Sequence, residues 1–202
     1  MSRDTIFAKI RAALEPIPEK AAHPGFEREA IVSPTRLRGS LKEAFERNLG
    51  AVHGRTMDSP ETLAVFLKEQ GCTTGYCDPT LMIPLGKALS AAGIEVLTRY
   101  DRAHYEDYRF GITRASGAIA ETGSIILDDA HTADRLAALS PWVHVAVLSR
   151  SQIHRSIPDA LAQLGPSRNV IWVTGPSKTA DVEGILIEGV HGPGEQIAYF
   201  TD

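Results

Sequence analysis

Cysteine is almost missing from this chain: Cys72 and Cys77 are the only two among 202 residues, with four residues between them. Neither the four thiolates of an iron–sulfur cluster nor a CxxC redox pair can come from such a set, so any redox centre must belong to another protein. Metal-binding spacings are missing too. No two of the seven histidines stand as HxH or HxxxH, so His104, His131, His144 and His154 read as structural or surface residues and no metal site is predicted. A basic excess is also absent. Twenty-one Lys and Arg against 25 Asp and Glu leave a net charge of −4, which argues against electrostatic attachment to nucleic acid or anionic lipid. No window of 18 apolar residues occurs, and the opening MSRDTIFAKIRAAL is interrupted by Arg3, Asp4, Lys9 and Arg11. It therefore lacks both a membrane span and the apolar stretch of a signal peptide, and the expectation is a cytoplasmic protein. No internal repeat is present, which excludes solenoids and arrays.

What remains is a globular composition, 43% apolar and 23% charged, in a chain long enough to bury around 70% of its unfolded surface. Ile6, Ile10 and Leu14 recur every fourth residue, with Phe7 and Ala13 widening the stripe, so residues 4–14 read as an amphipathic helix ended before Pro16. Pro16, Pro18, Pro24 and Pro34 make residues 15–33 a linker, because each removes a donor and biases its predecessor towards extended backbone. The chain divides into this arm, residues 1–33, and one domain, residues 34–202. Ser33-Pro34 and Ser59-Pro60 each place a hydroxyl at an N-cap and proline at the first helical position, predicting helices from 34 to about 48 and from 60 to Gly71. Further helices are expected over 79–92 with a break at Pro84, over 130–139, and over 152–164 with a start near Pro158. Short apolar runs at 94–98, 118–120, 124–127, 143–148, 170–174 and 196–200 read as strands. Strand and helix in alternation imply an α/β protein with an open parallel or mixed sheet flanked by helices, whose sites cluster at the carboxyl ends of its strands.

Two segments could carry chemistry. In FGITRASGAIAETGSIIL, residues 110–127, a tight turn presents Glu121 as a candidate nucleophile or base. Thr122, Gly123 and Ser124 stand beside it as donors, and Thr113 and Arg114 upstream could hold an anion. A solvated hairpin tip with a surface arginine accounts for the same residues. In TGPSKTADVEGILIEGVHGP, residues 174–193, Thr174, Gly175, Ser177, Lys178 and Thr179 form a small-residue turn after an apolar strand, a setting suited to anions. It is no Walker A loop, since Trp172 and Ser177 stand where glycines are required. Thr179 reads as the N-cap of a helix with Val182, Ile185 and Leu186 buried and Gly189 ending it. Asp181 in its first turn is either a plain helix acid or a partner for a cation or hydroxyl. His191, between glycines, is a weaker acid–base candidate. Cys72 and Cys77 read as two buried thiols.

Three ordered blocks, IFAKIRAAL, FGITRASGAIAETGSIIL and NVIWVTGPSKTADVEGILIEGVHGP, resemble the lactate-utilisation protein C family, the LutC or YkgG type of LUD domain. The resemblance implies a fold like that of the NagB, ribose-phosphate isomerase (RpiA) and CoA-transferase group. It further implies a place in a three-protein system oxidising L-lactate to pyruvate, whose other members carry the iron–sulfur clusters. This chain would bind no cofactor itself and would act as the accessory or substrate-binding component, using a polar cleft between the 113–124 and 174–193 segments for a small anionic ligand. Family membership leaves open whether it makes or breaks any bond and whether it forms a homo-oligomer. Ala120-Glu121-Thr122-Gly123 is also similar to the Ser-Glu-Asn-Gly turn whose glutamate attacks the thioester in CoA transferases. The alternatives are therefore a stand-alone enzyme of the CoA-transferase or sugar-phosphate isomerase kind, with Glu121 reacting and Ser177, Lys178 and Thr179 binding phosphate, or a non-catalytic scaffold.

Overall fold

Residues 2–16, 25, 32–165, 169–180 and 183–202 are described by the computed structural model, and they fall into two units, Met1–Ile31 and Val32–Asp202. In the first, α1 spans Arg3–Leu14 and is capped by Ser2, whose hydroxyl accepts the Thr5 N–H at 3.3 Å. None of its residues is buried, and the expected stripe of Ile6, Phe7, Ile10 and Leu14 is exposed. The proline-rich stretch that follows lies largely outside the described residues.

The second unit is built on six parallel strands, numbered in chain order through the chain: β1 Arg55–Met57, β2 Thr74–Cys77, β3 Glu95–Leu97, β4 Phe110–Arg114, β7 Val143–Leu148 and β12 Glu195–Phe200. Their order across the sheet is β1-β12-β7-β4-β2-β3. Parallel neighbours need crossovers, and helices α2 (Leu41–Ala51), α3 (Pro60–Glu69), α4 (Lys87–Ala91) and α5 (Arg135–Leu139) stand among them. A second, mixed sheet has the order β8-β5-β6-β9 and comprises β5 Gly117–Ile119, β6 Ser124–Asp128, β8 Ile153–His154 and β9 Val170–Val173. Helix α6, Ile157–Gln163, supplies Ala160 to its outer face against Ile119 and Ile126.

The apolar side chains of the central strands sort by parity. Phe110, Ile112, Val143, Val145, Ile197 and Tyr199 pack with Leu63 and Leu67 of α3, Leu89 of α4 and Leu85 in the turn before α4. Ala146, Leu148, Ala198 and Phe200 face the other way, against Phe45 and Leu49 of α2 and against Ile125 and Leu127 of the second sheet. Strands covered on both faces read as unbroken apolar runs, and every residue of β7, VHVAVL, is buried. Each fully buried large side chain stabilises by about 1.5–3 kcal/mol. The sheet's crowding is greatest at Gly111, where a Cβ would overlap the Ala137 carbonyl of α5.

Several expectations are corrected. The helix expected at 34 starts at Leu41, because Ser40 and Glu43 form a complete capping box and leave Ser33-Pro34 in a preceding turn. Among the described residues no helix runs from Thr179 to Gly189, and Val182, expected in its buried stripe, lies outside them. Lys178–Ala180 and Leu186–Glu188 instead pair antiparallel as β10 and β11, leaving Ile185 and Leu186 well exposed. Gly184 and Gly189 both have positive φ, and Thr179, Ile185 and Ile187 are β-branched, so local preference opposes a helix there. The helix expected over 79–92 carries a π-turn at Met82–Gly86 around Pro84, which has no N–H to give. That over 130–139 begins only after Asp134 caps it, and that over 152–164 begins after Ser156, with β8 before it. The apolar runs at 118–120, 124–127 and 170–174 join the second sheet rather than the first.

One polar thread crosses the apolar centre. Gly111, His144 and Gln196 are register partners on β4, β7 and β12. The His144 imidazole, fully buried, bonds Thr113 Oγ1 through Nε2 and Gln196 Oε1 through Nδ1, both at 2.9 Å. Burial pushes its pKa down to about 4, against a smaller upward pull from the Gln196 bond. The unfolded chain therefore binds a proton between about pH 6.5 and 4 that the folded one refuses, so stability is present above 6.5 and falls with pH across that window. His144→Gln, compared with the native chain by urea unfolding at pH 7.5 and 4.5, should show an acid-induced loss of stability smaller by about 2 kcal/mol. Equal losses in the two proteins would contradict a buried neutral imidazole.

Candidate functional site

The two candidate segments meet beside the end of α2. Thr122 Oγ1, Ser124 Oγ and Thr174 Oγ1 form a hydroxyl chain with 2.7 Å links that joins the β5–β6 turn to the end of β9. Gly123, at φ 69°, lies so close to Asn48 and Leu49 of α2 that a Cβ would overlap their backbone. Asn48 Nδ2 donates to the Ala120 and Arg36 carbonyls at 2.7 and 2.9 Å. Glu121 is 9% exposed, and its Oε1 accepts the Ser33 N–H at 2.8 Å. Its carboxylate thus pins the turn before α2 onto the second sheet.

The 174–178 stretch runs past the same helix end. Lys178 Nζ donates to the Val52 carbonyl at 3.1 Å and pairs with Glu188 at 3.3 Å, and Glu188 also holds His53 at 2.7 Å. The Ser177 N–H is bound to the Pro193 carbonyl and the Gly189 N–H to the Ser177 carbonyl. Gly175 turns beside Val52, Thr179 sits on β10, and Asp181 lies outside the described residues. His191 is exposed and lines a separate cavity beside Trp142, at the amino ends of the strands. Cys72 and Cys77 are free and buried; burial first, then the Asp78 charge, pushes the Cys77 thiol up to about 12, so it holds its proton at neutral pH.

The remaining candidates, Thr113 and Arg114, reach the opposite end of the parallel sheet, where the strands deliver their carboxyl ends. Thr113 is committed to His144. Arg114 is exposed, its guanidinium has no hydrogen bond or ion pair among the described residues, and it borders two hollows. The larger, about 460 Å³, includes Asp78, Asp129, His131 and Thr132. Asp78 is engaged by the Thr80 N–H and hydroxyl, Asp129 by Arg135, and His131 by Asp128. Burial raises the Asp128 pKa, but the bonds and charge of His131 outweigh it and hold the group below its ordinary value. The smaller hollow, about 190 Å³, lies between Arg114, Val147, Leu148, Ser149, Gln152 and Thr201, with no acid in its lining. Ser149 and Gln152 bond each other's neighbourhood, through Ser149 N–H to Gln152 Oε1 at 2.8 Å and Ser149 Oγ to Asp202 at 2.7 Å. The Thr201 hydroxyl, like the Arg114 guanidinium, has no partner among the described residues. A planar cation beside a free hydroxyl in an acid-free recess is suited to a small carboxylate.

Ser149, Gln152 and Thr201 were not legible as site residues one at a time. Their signal is position: Ser149 and Thr201 each follow the last residue of a parallel strand, the place where such sheets bind ligands. Arg114→Ala should leave the urea midpoint within about 0.5 kcal/mol of the native chain. Glu121→Gln, which swaps a charged acceptor for an amide at the Ser33 N–H, should lower stability by about 1–2 kcal/mol.

The chain is matched by the family model of the LUD domain over residues 76–200, more than half of its length. It is 38% identical over 89 residues to a lactate utilization protein C of Deinococcus radiodurans, covering 41% of each chain. It is 33% identical over 112 residues to one of Bacillus licheniformis, covering 52% of this chain and 45% of that one. The aligned region thus spans less than half the length of these curated relatives. The crystal structure of a DUF162 family protein from Deinococcus radiodurans shares the fold, with a TM-score of 0.57 at 21% identity over 79% of this chain and 95% of the other. Among the described residues no helix is long and apolar enough to cross a membrane. With the match spanning the parallel sheet from β2 to β12, the chain belongs to the LUD-domain family.

Proposed function

We propose that this chain serves lactate utilisation by holding a small hydroxycarboxylate at the carboxyl edge of its sheet, while iron–sulfur partner proteins carry the electrons. The relatives named lactate utilization protein C support the pathway. The observation that carries the binding role is the unpaired Arg114 guanidinium beside the 190 Å³ acid-free hollow. A guanidinium fork meets both carboxylate oxygens at once, and the Thr201 hydroxyl can bond the substituent on the neighbouring carbon. Converting a hydroxyacid to a ketoacid releases two electrons and two protons. Two buried cysteines fall short of the four thiolates of a cluster, which supports the reading that cysteine-rich partners carry the electrons. Glu121 plays no part in this reading, because its carboxylate faces the Ser33 amide.

Calorimetric titration tests it. L-lactate and pyruvate should bind saturably, glycerol, which has no carboxylate, should not, and Arg114→Ala should weaken both acids at least tenfold while the fold is retained. In the host, deletion of the gene should abolish growth on L-lactate, with the Arg114→Ala chain failing to restore it, and the native chain should co-purify with cysteine-rich proteins. Equal affinity in Arg114→Ala would remove the site, and unimpaired growth of the deletion strain would remove the pathway.

A further inference from the structure

A second cavity, also about 460 Å³, opens at the amino-terminal edge of the parallel sheet. It is bordered by Arg109 and Trp142, which directly precede β4 and β7, and by Tyr105 and His191. The six residues of β7 separate this edge from the carboxyl one, a span of about 20 Å at the usual rise of a strand. Trp142 is 38% exposed and Tyr105 45%, an unusual degree for two large rings lining one recess. Trp142 is also fixed in place: a Cβ on either Gly189 or Gly194 would overlap the six-membered end of its indole, so both glycines form a shelf on which the ring rests. Its backbone is held as well, the carbonyl accepting the Glu195 N–H at 3.0 Å.

The charge of the recess is one-sided. Arg109 and His191 are its basic side chains, and neither has an ion pair among the described residues; Arg109 lies against the buried Cys72 thiol, which burial keeps protonated, and no Asp or Glu lines the recess, Glu106 standing beside it on the Tyr105 hydroxyl at 3.1 Å. The Arg109 backbone is clamped, its N–H donating to the Thr74 carbonyl and its carbonyl accepting from Val143. A rigid, half-exposed indole, a second ring and an unneutralised guanidinium are what a flat aromatic anion requires: faces for stacking and a cation for its charge. The volume lies within the range of sites that enclose drug-sized ligands. We propose that this cavity binds a mononucleotide-sized aromatic anion, with Trp142 as the stacking platform and Arg109 taking the charge. The site is independent of the carboxylate-binding reading, since it shares no residue with it.

The test is a titration with AMP, benzoate and inorganic phosphate, followed by calorimetry on the native chain. Trp142 fluorescence is read in parallel in Trp172→Phe, which leaves Trp142 as the only indole. AMP should bind saturably and quench Trp142. Arg109→Ala should weaken AMP at least tenfold, Trp142→Leu should weaken it comparably, and L-lactate affinity should be unchanged in both. Benzoate binding as tightly as AMP would show that ribose and phosphate add nothing and would overturn the mononucleotide-sized ligand. Phosphate matching AMP, with no dependence on Trp142, would reduce the cavity to a plain anion patch and overturn the proposal, as would the absence of saturable AMP binding to the native chain at millimolar concentration. Arg109 is an exposed residue, so its variant keeps the test decisive even where Trp142→Leu fails to fold.

Discussion

The centre of β4, β7 and β12 has apolar matter on both faces, and that double cover constrains the rest of the unit. Side chains there must fill a fixed gap: Gly111 has no room for even a methyl group beneath the Ala137 carbonyl, and a misfit in such a layer costs kilocalories rather than tenths. Polar atoms admitted to the layer must be matched in full. Thr113, His144 and Gln196 satisfy this by bonding one another across three neighbouring strands. Buried imidazole is retained as the neutral form for the same reason, because no countercharge reaches it.

This constraint sends chemistry to the strand ends. A residue within β7 cannot meet a ligand, whereas Ser149 immediately beyond it, Thr201 beyond β12 and Arg114 closing β4 emerge together at the carboxyl edge. The amino edge is treated differently. There Arg55 pairs with Glu195 and the 174–178 segment is knitted to the end of α2 through Lys178, Val52, His53 and Glu188. Most charges on that side are paired, which is what leaves the Arg109–Trp142 recess distinct from its surroundings.

What was legible in the sequence was whatever local chemistry decides. The run VHVAVL is β7 to the residue, and Ser59-Pro60 starts α3 where its cap geometry requires. The family resemblance, carried by whole blocks, was also readable. What was not legible depended on distance along the chain. Ser33-Pro34 has the form of a helix start, yet its amide answers to Glu121, 88 residues away. Once that amide is taken, the capping box at Ser40 and Glu43 begins the helix instead. The apolar spacing around Val182, Ile185 and Leu186 suits a helix by period alone; β-branching and two left-handed glycines favour the antiparallel pairing of Lys178–Ala180 with Leu186–Glu188 instead. Sorting the strands into two sheets needed partners that no window of sequence contains.

The same dependence on surroundings sets what the Glu121 turn does in this fold. Four residues of similar shape place an acid at a strand–strand corner, but reactivity requires that the carboxylate face a vacant space beside donors that stabilise a developing charge. In this chain Gly123 lies against Asn48 and Leu49 of α2, Asn48 donates to the Ala120 carbonyl, and Glu121 Oε1 accepts a backbone amide from the turn before the helix. The corner therefore works as a clasp between the second sheet and α2. Arg114, the last residue of β4, stands by contrast at the carboxyl edge of the main sheet, where its guanidinium has no hydrogen bond or ion pair among the described residues. The task of a charged group is set by whether packing leaves it a free side.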